Sequence, residues 1–304
     1  MPFEVTILGS NSALPTSDRY PTGQILNVLD RLFLIDCGEG TQIQIRRNKF
    51  GFGKINHIFI SHLHGDHYYG LIGLISTFNL LGRKNDLHIY SPSELKELIQ
   101  PQIDFIKGEM QFKILFHPLD FKKNRQIYID KKVEVISFPL KHSISTCGFL
   151  FRETGKQPNI KKELVQYYNI PIAEIKNIKA GGNFTTKNGE IISHETLTTP
   201  PPLSRSYAFC TDTVFNPQIV ETIKGVDLLY HEATFTEEMK EFAKSTFHST
   251  AMEAAEIAKL AGAKKLIIGH FSARYKKLTP FLDEAKQVFE NTVIANEGET
   301  HRVE

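Results

Sequence analysis

The segment Ser61-His62-Leu63-His64-Gly65-Asp66-His67 sets three imidazoles and one carboxylate within six residues. Neutral imidazole nitrogens and carboxylate oxygens form the donor set that holds zinc and similar first-row divalent ions. The spacing lets His62 and His64 grip one ion while Asp66 and His67 turn to a second. An isolated histidine is ordinarily a packed or solvated side chain, and His57, His88, His117, His194 and His301 are read that way. Four ligand-type groups in one short loop form a metal-binding pattern instead.

Further ligands arrive where apolar runs end. His142 follows Ile136-Ser137-Phe138-Pro139-Leu140, Asp212 follows Ala208-Phe209-Cys210, and His270 follows Leu266-Ile267-Ile268-Gly269. Seven ligands result, with His62, His64 and His142 on one ion, Asp66, His67 and His270 on the other, and Asp212 bridging. Two ions about 3.5–4 Å apart turn a shared water into hydroxide near neutral pH and stabilise the entering and leaving oxygens of an in-line displacement. The expected chemistry is hydrolysis.

Such a set needs strands that deliver it to one edge. Short β-type runs occupy residues 3–8, 24–28, 32–36, 55–61, 87–90, 133–139, 147–152, 206–210, 226–230 and 264–268. Helices are expected at 69–81, 94–100, 251–261 and 281–291. The third opens on a Thr250-x-x-Glu253 capping box and stops at Gly262. Many strands with helices between groups of them predict an α/β fold in which two packed sheets carry helices outside, an αββα sandwich. The chain reads as one domain, 1–304, interrupted at 153–204 by a polar stretch that does not fit a compact core. Residues 151–190 hold seven basic and four acidic side chains, among them Lys156, Lys161, Lys162, Lys176, Lys179 and Lys187. That local excess suits contact with phosphates.

Composition bounds the rest. The 304 residues are 41% hydrophobic and 23% charged, which excludes a disordered or fibrous chain, and a net charge of +2 excludes a whole-molecule field for a polyanion. Cys37, Cys147 and Cys210 are odd in number and lack Cys-x-x-Cys spacing, so reduced thiols in a cytoplasmic protein are expected. The opening residues lack a signal-peptide pattern and no apolar run is long enough to span a membrane.

The metal loop with its downstream His, Asp and His resembles the metallo-β-lactamase superfamily, whose fold is the αββα sandwich. Four stretches are similar to one branch, the short form of the tRNA 3′-processing endoribonucleases (RNase Z). These are Leu8-Gly9-Ser10 with Pro15-Thr16, Arg19 and Asp36-Cys37-Gly38-Glu39-Gly40-Thr41-Gln42; His231-Glu232-Ala233-Thr234; His248-Ser249-Thr250; and Gly269-His270-Phe271-Ser272-Ala273-Arg274-Tyr275. The sequence departs from the family pattern at Ile170-Pro171-Ile172, where a Gly-Pro is usual, at Thr211 in place of a glycine, and at Tyr20 in place of an asparagine.

The resemblance implies two Zn²⁺ per subunit, a homodimer, and precursor tRNA as substrate, with 153–204 as the tRNA-binding arm. The cut would follow the discriminator nucleotide, leaving a 3′-hydroxyl on the tRNA and a 5′-phosphate on the trailer. The leaving ribose oxygen needs a proton, for which His248 is the candidate acid with Glu232 orienting it. Asp66 would ligate an ion and also orient or deprotonate the attacking water, and Ser272 and Arg274 would hold a substrate phosphate. Two other readings compete. One is a superfamily hydrolase of a small phosphodiester or thioester, which the basic insertion disfavours. The other is an RNA-binding protein that has lost catalysis, which the full ligand set disfavours.

Overall fold

A computed structural model of the chain describes residues 2–106 and 110–304. The chain divides into two compact units, one built from Met1–Ile129, Glu134–Arg152 and Arg205–Glu304, the other from Asp130–Val133 and Glu153–Ser204.

The larger unit holds two seven-stranded sheets. Numbered along the chain, their strands are β1 (Phe3–Gly9), β2 (Gly23–Val28), β3 (Arg31–Cys37), β4 (Ile55–Phe59), β5 (Leu87–Ser91), β6 (Ile114–Pro118), β7 (Arg125–Ile129), β8 (Val133–Pro139), β9 (Cys147–Glu153), β10 (Ser206–Cys210), β11 (Leu228–Glu232), β12 (Lys265–Gly269), β13 (Thr292–Ile294) and β14 (Thr300–Arg302). The sheet orders are β14-β1-β2-β3-β4-β5-β6 and β13-β12-β11-β10-β9-β8-β7. Period-two alternation splits each strand between two layers. Phe33 and Phe59 turn inward against Phe151, with centroids 5.6 and 5.4 Å away, and Phe59 also meets Phe149 at 5.5 Å, which joins the sheets. Leu34, Ile58 and Ile89 turn outward onto Leu71, Leu74, Phe78, Leu95 and Ile99 of two helices. On the other side Ala208, Leu229, Leu266 and Ile268 pack beneath Ala254, Ala255, Ala258 and Phe281. Helix, sheet, sheet, helix is the expected αββα order.

Thr250 caps the Ala251–Ala261 helix, its side chain accepting from the Glu253 N–H at 3.2 Å while Glu253 accepts from the Thr250 N–H at 3.0 Å. Gly262 ends it at φ 63°. The expected helix 69–81 is instead Gly65–Tyr68 followed by Leu71–Leu80. The break is enforced at Gly70, whose N–H donates to the Cys37 carbonyl and where a Cβ would lie 2.1 Å from the Gly38 oxygen. The expected 94–100 helix runs on to Ile106, with Pro101 inside it. The 281–291 helix is shifted to Thr279–Val288, with Pro280 in its first turn.

The smaller unit corrects the reading of 153–204 as a stretch without a core. Ile170, Ile178, Phe184, Ile192 and Leu197 form their own buried cluster with Ile160, Leu164, Val165 and Tyr168 around it. Two strand pairs, Asn159–Ile160 with Thr198–Thr199 and Phe184–Thr185 with Ile191–Ile192, frame the helices Lys162–Tyr167 and Ile172–Lys179. Among its lysines, Lys156 pairs with Glu153 at 2.6 Å and Lys161 donates to the Thr196 carbonyl at 2.8 Å. Lys162, Lys176 and Lys187 are exposed.

Candidate metal centre

Five connections at one end of the sandwich converge. The loop 62–67 leaves β4, His142 follows β8, Asp212 follows β10, Glu232 closes β11 and His270 follows β12. Strands β10, β11 and β12 are parallel neighbours, with Cys210 opposite His231 and Glu232 opposite Gly269, so their C-terminal ends reach the same edge in register.

The seven expected ligands form two groups that share Asp212. His64 Nδ1 lies 3.2 Å from His62 Nε2 and 3.1 Å from His142 Nε2, and Asp212 Oδ2 stands 3.5 and 3.6 Å from those two nitrogens. Its other oxygen, Oδ1, is 3.4 Å from His67 Nε2 and 3.2 Å from His270 Nε2. Asp66 Oδ2 completes the second group at 3.5 and 3.4 Å from the same nitrogens. Ligand atoms about 2.0–2.1 Å from a tetrahedral zinc lie about 3.3 Å apart, so both groups have the right span. Nε2 of His67 and of His270 is buried without a hydrogen-bond partner. Orphaned imidazole nitrogens aimed at carboxylates call for a cation between them, and this donor set fits one in each group.

The titration behaviour points the same way. Burial, with His67 facing it, pushes His62 down to about 3, and burial lowers His64 and His142, leaving lone pairs for coordination. Burial opposes ionisation of Asp66, but His67 and His270 outweigh it and hold the carboxyl well below the ordinary range. Burial likewise opposes a charge on His67, yet Asp212, Asp66 and Asp36 raise it well above the usual value, so the site draws in positive charge.

Five of the seven ligands are aimed from behind. The remote nitrogen of His67 donates to Asp36 Oδ2 at 2.7 Å, that of His142 to the Phe247 carbonyl at 2.9 Å, and that of His270 meets Thr234 Oγ1 at 3.0 Å. Asp66 Oδ2 accepts the Ala13 N–H at 2.7 Å, and the Thr211 hydroxyl donates to Asp212 Oδ1 at 2.7 Å. Sequence reading had given Asp36, Ala13 and the Phe247 carbonyl no role, and had taken Thr211 only as a departure. Asp36 alone left a signal, a carboxylate ending the apolar run Leu32-Phe33-Leu34-Ile35. Strain marks the same places: Ala13, Asp36, Phe247 and His270 all hold left-handed backbones, at φ 60°, 53°, 59° and 62°.

His248 stands beside the groups, its ring centroid 5.0 Å from that of His142 and 5.5 Å from that of His270. Nδ1 donates to Glu232 Oε1 at 2.9 Å. Glu232 is fully buried and also accepts from the Thr213 N–H at 2.9 Å, the Thr234 N–H at 3.0 Å and the Thr234 hydroxyl at 2.7 Å. Burial disfavours a charged His248, but the Glu232 carboxylate prevails and pushes it up to about 9. A groove of about 580 Å³ opens over His64, Asp66, His142, Asp212 and His248, walled by Ser12, Ala13, Leu14 and Pro15. Ser272 and Arg274 are not brought into it. Ser272 pairs with Ser12 in a short ladder, and the exposed Arg274 lies over the rings of Phe235 and Phe242, 5.4 and 4.9 Å from their centroids.

The chain resembles known proteins over its whole length. A family described as "Anti-Pycsar protein Apyc1" matches residues 3–160, and one described as "Beta-lactamase superfamily domain" matches residues 202–271. Ribonuclease Z of Bacteroides fragilis (strain YCH46) is 49% identical over 296 residues, 97% of each chain. Ribonuclease Z of Bacteroides thetaiotaomicron is 50% identical over 97% of this chain and 94% of its own. The crystal structure of human tRNase Z, short form, superposes with a TM-score of 0.72 at 26% identity, covering 99% of both chains.

Proposed function

The chain belongs to the ribonuclease Z family within the metallo-β-lactamase superfamily, and from that premise we propose that it hydrolyses precursor tRNA endonucleolytically to remove the 3′ trailer. The observation that carries this reading is the pair of ligand groups joined through the two oxygens of Asp212, with a carboxylate-held histidine beside them.

His62, His64 and His142 would hold one divalent ion and Asp66, His67 and His270 a second, with Asp212 shared and zinc the ion that suits the donor set. When bound, such ions supply Lewis acidity that activates water at neutral pH and offsets charge on the reacting phosphate. The protein's own groups handle the protons. Asp66, fixed by the Ala13 N–H, orients the attacking water and takes its proton. As the new P–O bond forms, the bond to the ribose 3′ oxygen of the discriminator nucleotide breaks, and protonated His248 gives that oxygen its proton. Glu232 keeps His248 charged and pointed. The products are a tRNA 3′-hydroxyl and a trailer 5′-phosphate.

The unit containing Glu153–Ser204 serves as the tRNA-binding arm, with the exposed Lys162, Lys176 and Lys187 meeting backbone phosphates. The working form is a homodimer in the cytoplasm. Three buried free thiols suit a reducing compartment, and among the described residues no helix is long and apolar enough to cross a membrane. Ser272 and Arg274, which do not line the groove, would meet a phosphate of the RNA only beyond it.

The test is cleavage of an end-labelled precursor tRNA beside a generic small phosphodiester, with the cut mapped to the nucleotide. A single cut after the discriminator is expected. Turnover of the small ester with the RNA left intact would move the function to a small-molecule hydrolase.

A further inference from the structure

A second hollow, of about 800 Å³, adjoins the groove and shares His142 and Ser143 with it. Its lip carries Phe247, Ile144, Phe121 and Lys141. Phe247 is 44% exposed, whereas the nearby Phe235 and Phe271 are 4% and 0% exposed. Among the described residues no aromatic ring is stacked against it.

Its backbone is held in the left-handed region at φ 59°, which a bulky side chain resists and glycine adopts freely. The backbone has a duty there, since the Phe247 carbonyl accepts from His142 Nδ1 at 2.9 Å and its N–H donates to the Lys244 carbonyl at 3.2 Å. Glycine would do both with less strain. The ring is therefore unnecessary to the backbone's task, and with almost half its surface in solvent it adds little to the core. A strained, exposed aromatic residue on the lip of a hollow continuous with the cleavage site is suited to a planar ligand.

Resting on the endonuclease reading, we propose that the Phe247 ring stacks on the base of the last nucleotide before the cut. Every nucleobase presents a π-face, so such a platform holds an unpaired end without selecting its sequence. The position in the RNA follows from the neighbour in the chain. His248 must face the 3′ oxygen of that nucleotide, and the adjacent ring is then within reach of the base the same ribose carries. Lys141, exposed on the same lip, supplies a cation for the backbone.

The experiment compares two precursor tRNAs, one intact and one abasic at the nucleotide before the cut, under single-turnover conditions. Wild-type protein should cleave the abasic RNA about 5- to 150-fold more slowly, the factor one base–aromatic stack is worth. Phe247→Gly, which keeps the carbonyl and relieves the backbone, should melt no lower than wild type and cleave both RNAs at the same reduced rate. Phe247→Leu should likewise lose the difference, and Phe247→Trp should retain it. A Gly or Leu variant that still discriminates by the wild-type factor overturns the stacking platform, as does a wild-type protein indifferent to the missing base. Failure of wild type to cut the intact RNA overturns the endonuclease reading itself.

Discussion

Asp36 takes three hydrogen bonds at the floor of the metal loop, from the Ser61 N–H at 2.8 Å, the Ser61 hydroxyl at 2.9 Å and His67 Nδ1 at 2.7 Å. It thereby fixes the tautomer of His67 and aims Nε2 at the second ligand group. Asp36→Ala should weaken metal binding about 10- to 100-fold, read by competition with a chromophoric chelator, because such supporting partners are worth that much. His248→Ala removes a proton donor and no ligand. It should lower the single-turnover rate at least about 10²- to 10⁴-fold while metal content and RNA binding stay at wild-type levels. Loss of metal in that variant would contradict the division of labour. All seven proposed ligands were visible in the sequence because the loop is local and the others each close an apolar run. Asp36, Ala13 and Thr211 were not assigned roles, since a hydrogen bond between residues 13 and 66 exists only once the chain has folded.

The loop that walls the groove is itself anchored by an element from the far end of the chain. Tyr20 donates its N–H to Glu297 Oε1 at 2.6 Å, Gln44 donates to Oε2 at 3.1 Å, and Arg47 donates to the Tyr20 hydroxyl at 3.0 Å. The substituted Tyr20 is thus a bolt between this loop and the body, with Gly40 at φ 80° leaving room for its ring. Burial raises the Glu297 carboxyl to about 7. A folded-state value above the unfolded one means that the folded protein binds the extra proton between roughly pH 4.5 and 7. Stability should therefore fall as pH rises through that window, by about 1 kcal/mol after allowing for the group's partial exposure. Thermal melts of wild type and Glu297→Gln across pH 5–8 check this: the variant should lose that slope, and an unchanged slope would remove Glu297 as its source. At this scale the capped Ala251–Ala261 helix and the long central strands were legible from local pattern. Strands β6, β7, β13 and β14 were missed, as was the helix Thr41–Arg47. β13 and β14 are three residues each, and β7 has an exposed and half-buried pattern with no clear alternation.

Across the whole molecule the near-neutral balance of +2 conceals an uneven distribution, since the stretch 151–190 carries seven basic and four acidic side chains. Deleting Glu153–Ser204 is structurally feasible, because Arg152 and Ser206 are register partners in neighbouring antiparallel strands and a short turn can join them. The deleted protein should keep hydrolysis of a small phosphodiester and lose precursor tRNA cleavage. Full tRNA cleavage by that variant would end the arm assignment. The αββα layering was legible because strand and helix patterns group along the chain. The separate core of the smaller unit was not, because Ile170, Ile178, Phe184, Ile192 and Leu197 are scattered singly among polar residues and meet only in three dimensions. The shared two-ion site is tested most simply by stripping the protein with chelator and titrating zinc back while following cleavage of an end-labelled precursor tRNA. A single cut after the discriminator, absent without metal and reaching its plateau at two ions per chain, is the predicted result. Undiminished cleavage in chelator, or a plateau at one ion, would contradict the shared two-ion site.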